Sequence, residues 1–260
     1  LGAMADRGGA KKRFLLLFTA LGVIMTGALW LVAQGAWPLA LAFYVLGVIG
    51  FSGGNIFYDA LLVDVAPPGK ADWVSSFGYS AGYLGGGLLF ACNVLMVLHP
   101  GWFGLADSTE AVRWAFLSVA LWWAVFALPL FLLVHEAKAR EAQGWTAALR
   151  GGWGQLRRTF RQVRRLRFTF LFLLAYWLYI DGVDTGIRMA VDYGLALGFA
   201  ASELMLALLI TQFVGFPATL AFGYISQRTG PRRGILGAIL IYILVLLWAY
   251  RMSLPWEFYG

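Results

Sequence analysis

The chain has 260 residues, of which 61% are hydrophobic and only 13% are charged. Soluble domains contain roughly 45–50% apolar and about 25% charged residues, so this composition excludes both a soluble globular protein and a disordered chain. Cys92 is the only cysteine, which excludes a disulfide-stabilised scaffold. The basic residues behind the net charge of +7 lie between long apolar runs, which argues against binding of nucleic acid.

Seven apolar runs are long enough to cross a bilayer as helices, because one span needs about 20 residues. The runs are continuous rather than alternating, which favours helices over a β-barrel. The predicted fold is therefore all-α, a polytopic bundle of transmembrane helices. In chain order the predicted spans are residues 14–33, 38–58, 74–98, 112–134, 168–192, 203–224 and 234–250.

The basic residues predict how the chain is oriented. Seventeen of the 20 precede the first span or lie in the loops after the second, fourth and sixth spans. These regions share one side of the membrane if there are seven spans, and an excess of Lys and Arg marks the cytoplasmic side. The sequence therefore predicts a multi-pass membrane protein with cytoplasmic basic loops, and its composition favours a bacterial inner membrane.

Each of the notable polar residues of the second and third spans could have either of two roles, and the small residues of the third span suggest close packing. The amide of the second span could contact a substrate or bond to a neighbouring helix, and the tyrosines could reach a cavity or simply pack. The glycines, spaced four apart, predict a close helix-packing face. These residues are Asn55, then Tyr79 and Tyr83, then Gly78, Gly82 and Gly86.

The loop at residues 135–167 is predicted to separate an N-terminal half-bundle, residues 1–134, from a C-terminal one, residues 168–260. Its second half mixes apolar residues with arginines. This pattern fits an amphipathic helix on the anionic inner leaflet or a solvated linker that only fixes topology.

The fifth span contains a stripe of charge, which inside a membrane indicates function by default. At 100° per residue, Arg188 and Asp192 fall within about 20° of Asp181, and Asp184 lies about 60° from it. Asp192 is expected at the membrane interface. Trp177 and Thr185 share this face. The stripe could line a water-filled path that binds a zwitterion or a proton, or it could be a salt-bridge ladder between helices.

The sequence lacks the motifs that mark several kinds of catalytic or ATP-dependent protein. The sequence has no phosphate-binding loop for ATP and no nucleophile elbow, and His99 and His135 are its only histidines. We therefore predict no enzyme activity, no cofactor and no metal site.

Two short basic loops repeat the same spacing six predicted helices apart. Parallel repeats of six helices build the major facilitator fold. The first copy also contains Asp6. The repeated residues, each 221 positions apart, are Gly2, Arg7, Gly9, Lys11 and Lys12, matched by Gly223, Arg228, Gly230, Arg232 and Arg233.

The first of these loops resembles the loop after the second helix of major facilitator transporters. The stretches at residues 55–64, 76–87, 176–185 and 193–198 resemble the vacuole-effluxer-like branch, whose relatives include the autophagy-linked amino-acid exporter. The resemblance covers nearly the whole chain and implies a fragment that holds helices three to nine of twelve.

This resemblance implies a monomeric secondary transporter that moves amino acids or similar small solutes by alternating access, with a coupling proton left open. It also implies that the two repeated loops are cytoplasmic gates, with Asp6 as the latch. Gln227 stands where the first loop has Asp6, and Asp59 replaces an expected amide. These departures leave a second hypothesis, a transport-inactive scaffold or receptor that retains the transporter fold.

Overall fold

The computed structural model describes residues 11–67, 69–134, 160–161, 166–254 and 256–257. Within these residues the long elements are α-helices, joined by short turns and 3-10 segments. In chain order they are α1 (Lys11–Ala28, extended by a 3-10 turn at Leu29–Leu31), α2 (Trp37–Val65), α3 (Ala71–Leu98), α4 (Ser108–Leu133), α5 (Arg167–Ala196), α6 (Ala201–Thr229) and α7 (Pro231–Arg251).

All seven helices are long and apolar enough to cross a membrane. The predicted helical bundle of seven spans is therefore confirmed for the described part of the chain. Most spans are longer than predicted; the fifth, predicted at residues 168–192, is Arg167–Ala196. The difference arises because backbone hydrogen bonding continues past the apolar stretch into the polar residues of the interface.

Carboxylates cap helix starts and one turn. At α4 the Asp107 side chain accepts a hydrogen bond from the backbone N–H of Glu110, whose own carboxylate accepts one from Ala106, both at 2.8 Å. The Glu203 carboxylate likewise accepts the Ala200 N–H at the start of α6, at 3.0 Å. After α7, two backbone N–H groups donate to Glu257, and they lower the pKa of its carboxyl. These caps satisfy donors that helix and turn geometry leaves without partners.

The first of two compact units comprises Leu1–Ala71 and Cys92–Phe160. Its core is a stack of phenylalanines, in which the Phe57 ring lies 5.2 Å from Phe14 and 5.8 Å from Phe18. Helices α1 and α2 approach closely because Gly50 faces the backbone of Gly22, and a Cβ at position 50 would lie 2.8 Å from the Phe18 carbonyl oxygen. Small residues allow this approach where lipid supplies no hydrophobic force between helices.

The second unit comprises Asp72–Ala91 and Arg161–Gly260. It therefore groups most of α3 with α5, α6 and α7. The predicted half-bundles follow the sequence repeat instead and place α3 in the N-terminal half, so that division stays a prediction. In this unit Phe199, Leu204 and Met252 form a small buried cluster against Val191 of α5.

Candidate functional site

One face of α5 contacts its neighbours in the second unit. Val191 packs on the buried cluster, and Gly194 is buried where a Cβ would meet the Leu204 side chain. Val183 accepts a hydrogen bond from α7 through its carbonyl oxygen. At 100° per residue, Gly194 lies within about 20° of Val183, so these residues define one side of the helix.

Most of the charged stripe lies on the opposite side of α5. Asp181 and Arg188 are about 160° and 140° round the helix from Val183, whereas Asp184 is about 100° from Val183 and about 20° from Val191, at the edge of the contact face. These charged side chains, and the polar and aromatic ones that share their face, are exposed, as are most residues of α5. The exposed stripe comprises Trp177, Asp181, Asp184, Thr185 and Arg188.

The charges of the stripe do not neutralise one another directly. Asp184 and Arg188 are one helical turn apart, yet no ion pair joins them in the structure. Within the described residues, no hydrogen bond is donated by the Arg188 guanidinium, and none is accepted by the carboxylates of Asp181 and Asp184. The stripe therefore keeps its charged groups available to a ligand or to water.

A tyrosine from α7 reaches the backbone of α5 at the level of the stripe. The Tyr242 hydroxyl donates to the carbonyl oxygen of Val183 at 2.8 Å, immediately before Asp184. Gly186 lies beneath this hydroxyl, where a Cβ atom would collide with it. Tyr242 could not be predicted from the sequence, because a tyrosine within an apolar helix gives no sign of which distant backbone group it will contact.

The tyrosines of α3 differ in their surroundings. Tyr83 packs against α6, where a Cβ at Gly215 would lie 2.7 Å from its Cδ1 atom. Tyr79 is 52% exposed. Their predicted place in a solute pathway stays a prediction, since Tyr83 serves here as a packing residue as well.

Two of the three predicted packing glycines of α3, Gly82 and Gly86, lie away from its contact with α6. In the described part of the chain no atom lies within 4 Å of a Cβ built at Gly82 or Gly86. The neighbouring Gly87 is buried instead, and its Cβ would lie 3.2 Å from Cβ of Gln212 on α6. The packing role of Gly78, Gly82 and Gly86 stays a prediction.

Asn55 of α2 is exposed, whereas Phe57 two residues later is 2% exposed and belongs to the core of the first unit. Its amide therefore points away from the phenylalanine stack. This position is compatible with the predicted contact with substrate, which stays a prediction.

The two lysines that open α1 bind the ends of other helices. The Lys11 ammonium forms an ion pair with Asp64 at 3.1 Å and donates to the Ala60 carbonyl at 3.3 Å, both at the end of α2. The Lys12 ammonium donates to the carbonyl oxygens of Phe131 and Val134 at the end of α4, at 2.9 and 2.6 Å. The sequence indicated a gate at these lysines but not their partners.

The second repeated loop is described by the structure. Arg228 stacks over the Tyr224 ring at 4.2 Å, and Gly230 ends α6 with a φ of 85°, a backbone conformation that glycine adopts without strain. Arg232 and Arg233 are exposed at the start of α7. Gly223 lies inside α6 rather than in the loop, and a Cβ there would lie 2.5 Å from the Ser76 hydroxyl oxygen.

The remaining predicted positions lie outside the described residues. They are Gly2, Asp6, Arg7 and Gly9 of the first loop, and most of the basic segment at residues 135–167. Among the residues that are described, no group of three His, Cys, Asp or Glu side chains is placed to hold a metal ion.

Comparison with known proteins assigns the chain to a class. The sequence matches the family described as vacuole effluxer Atg22-like over residues 1–68 and 64–260, which is essentially its full length. The chain belongs to this family of major facilitator transporters. No solved structure matches it.

Two relatives illustrate the range of the family. The chain is 35% identical to the uncharacterized MFS-type transporter YxiO of Bacillus subtilis strain 168, over all of this chain and 60% of that protein. It is 27% identical to autophagy-related protein 22-1 of Aspergillus niger, over 70% of this chain and 30% of that protein. The chain thus spans 60% or less of the length of these relatives.

Proposed function

We propose that the protein is a secondary active transporter that exports amino acids or similar small solutes by alternating access, with the α5 stripe lining the solute pathway. The observation that carries this proposal is the placement of Asp181 and Arg188 on the face of α5 opposite its helix contacts, with Asp184 at the edge of that face. The family match, and the relative YxiO, which is named as an MFS-type transporter, support the transporter part of this proposal.

The cost of charge in lipid favours a pathway over a lipid-facing stripe. An Asp or Arg at the centre of a membrane helix costs about 2.5–3.5 kcal/mol on insertion scales, and Asp181 lies at the middle of α5. Even one such residue would cost a large share of the whole stability of a typical protein, about 5–15 kcal/mol. The stripe is therefore expected to face water or other polar groups.

The chemistry of the stripe suits a zwitterion. The Arg188 guanidinium can bind a carboxylate through two parallel hydrogen bonds, and the Asp184 carboxylate can bind an ammonium group. Because no ion pair joins the two side chains, both charges are available to one amino-acid ligand. A small solute is the partner expected, with a proton on Asp181 or Asp184 as a second ligand.

The cytoplasmic gate is a further part of the proposal. The loop at residues 2–12 resembles the gating loop of major facilitator transporters, with Asp6 and Arg7 as its latch. Lys11 and Lys12, at the end of this loop, contact the ends of α2 and α4. We place the basic loops against the anionic inner leaflet of a bacterial inner membrane, in a monomeric protein.

Transport by the full-length protein in proteoliposomes, with radiolabelled amino acids, tests the proposal. We expect Asp184→Asn and Arg188→Gln each to lower the rate about tenfold or more, since a hydrogen bond to a charged group contributes about 1.5–3 kcal/mol. Asp192→Asn is the control, because Asp192 is an exposed carboxylate on the same face but only four residues before the end of α5, where we expect the membrane interface. We expect it to transport like the wild type.

Equal effects of all three substitutions would contradict the pathway. Binding without movement of any solute would instead favour the scaffold hypothesis. A pH gradient across the same vesicles tests the proton: if Asp181 or Asp184 carries it, the Asn variants should lose the response of the transport rate to the gradient.

A further inference from the structure

Two tyrosine hydroxyls connect α5 and α7 at different levels. Tyr242 of α7 donates to the Val183 carbonyl of α5 at 2.8 Å, and Tyr193 of α5 donates to the Ala249 carbonyl of α7 at 3.0 Å. Val183 and Tyr193 are ten residues apart, or about 15 Å along the helix. The two bonds have the same chemistry and join the same helices, but only the first lies beside the charged stripe.

The sequence of α5 makes room for the first of these bonds. Tyr242 is partly buried, and its hydroxyl lies over Gly186, where a Cβ would collide with it and would lie 3.5 Å from Cδ2 of Leu246. Gly182, one turn earlier on α5, has open space at its Cβ within the described residues. Gly186 is therefore required for the approach of Tyr242, whereas Gly182 is not.

Tyr242 contacts the helical turn of α5 that contains Asp184 and Thr185. Val183, which accepts the bond, and Gly186, which is covered by the ring, flank Asp184 and Thr185 in sequence. Rotation of α5 by about 20°, the angle between neighbouring positions of one helix face, would move a carboxylate about 6 Å from the axis by roughly 2 Å. Displacements of about 1 Å are enough to weaken positioned interactions strongly.

We infer that Tyr242 is a positioning residue of the transport site: with Gly186 it fixes the rotation of α5, so that Asp184 and Thr185 face the solute pathway. This inference rests on the proposed function of the stripe. Tyr193 holds the same two helices together but does not set the orientation of the stripe.

Paired tyrosine variants test the inference in the full-length protein. We expect Tyr242→Phe to raise the KM for the transported radiolabelled amino acid about tenfold, which corresponds to about 1.4 kcal/mol, with Vmax within about twofold. Tyr193→Phe should leave KM unchanged. Both variants lose one hydrogen bond between the same helices, so a purely structural role would change their melting temperatures and their KM values alike.

A labelling experiment tests the orientation of α5 without transport. In a cysteine-free background, which includes Cys92→Ala, a single Thr185→Cys thiol should react with a charged, water-soluble thiosulfonate. We expect Tyr242→Phe and Gly186→Ala to change that rate several-fold, because the first removes the hydroxyl that bonds to α5 and the second displaces it. Tyr193→Phe and Gly182→Ala, the matched controls, should leave the rate unchanged.

The outcomes separate the two claims. If Asp184→Asn abolishes transport while Tyr242→Phe behaves like Tyr193→Phe in KM and labelling rate, the inference is overturned and the proposed pathway stands. If Asp184→Asn transports normally and the Thr185→Cys thiol is unreactive, the pathway itself is wrong. A selective effect of Tyr242→Phe and Gly186→Ala supports both.

Discussion

At the scale of single residues, the charged groups of the chain fall into two kinds. Three cations, Lys11, Lys12 and Arg113, donate to backbone carbonyls of other segments at 3.3 Å or less, and these hydrogen bonds connect neighbouring helices. Asp184 and Arg188 make no such bonds within the described residues. Because an ionised group without a partner is costly in a membrane, the second kind indicates function and the first indicates stability.

Lys12 provides a prediction at this scale. Lys12→Met keeps much of the apolar stem but removes the donors to the Phe131 and Val134 carbonyls. We expect it to destabilise the protein by about 1–3 kcal/mol, the cost of leaving a partly buried acceptor without its bond. The melting temperature of the purified protein measures this loss.

Arg13→Met is the control for Lys12→Met, because Arg13 is the adjacent cation and is exposed. It should leave the melting temperature nearly unchanged. Equal shifts for the two variants would contradict the capping role of Lys12 and would indicate a general effect of charge.

At the scale of elements, α3 and α6 meet through glycines opposed to side chains. Ser76 of α3 lies against Gly223 of α6, and Tyr83 of α3 lies against Gly215. Residue numbers therefore increase along α3 in the direction in which they decrease along α6. The helices are therefore antiparallel in this unit. The sequence showed that α3 is rich in glycine, but it could not show which row of glycines faces α6, because the partner is more than 120 residues away.

From the contact between α3 and α6 we expect opposite results for two glycine-to-alanine substitutions. Gly215→Ala places a methyl group 2.7 Å from the Tyr83 ring, and overpacking of this kind costs about 1–3 kcal/mol. Gly85→Ala meets open space in the described residues and gains helix propensity of up to about 1 kcal/mol.

Thermal unfolding in detergent checks this pair of substitutions. We expect the melting temperature to fall for Gly215→Ala and to stay constant or rise for Gly85→Ala. A fall of the same size for both would mean that α3 packs through Gly85 as well.

At the scale of the whole molecule, the seven spans were predictable and their grouping was not. Each span is a local property, since a run of about 20 apolar residues can be recognised without knowing its neighbours. The grouping of Asp72–Ala91 with α5, α6 and α7 depends on contacts between distant segments. For the same reason the stripe on α5 was predicted from helix periodicity, whereas Tyr242 was not.

The predicted orientation can be tested on the whole molecule. We expect a reporter active only in the cytoplasm to be active when fused within the basic segment at residues 135–159 and inactive when fused at Gly104, one span earlier in the chain. The reason is the excess of Lys and Arg in the first of these loops. The reverse pattern would place the basic loops outside and would contradict the proposed direction of export.

The contacts of Lys11 and Lys12 bear on how the protein is made. Helix α1 leaves the ribosome before α2 and α4, because synthesis runs from the N-terminus at about 5–20 residues per second. The two ammonium groups are thus already in place when the carbonyls at the ends of α2 and α4 emerge. Each later helix finds a donor for its last turn on arrival, so these three helices can assemble in the order of translation.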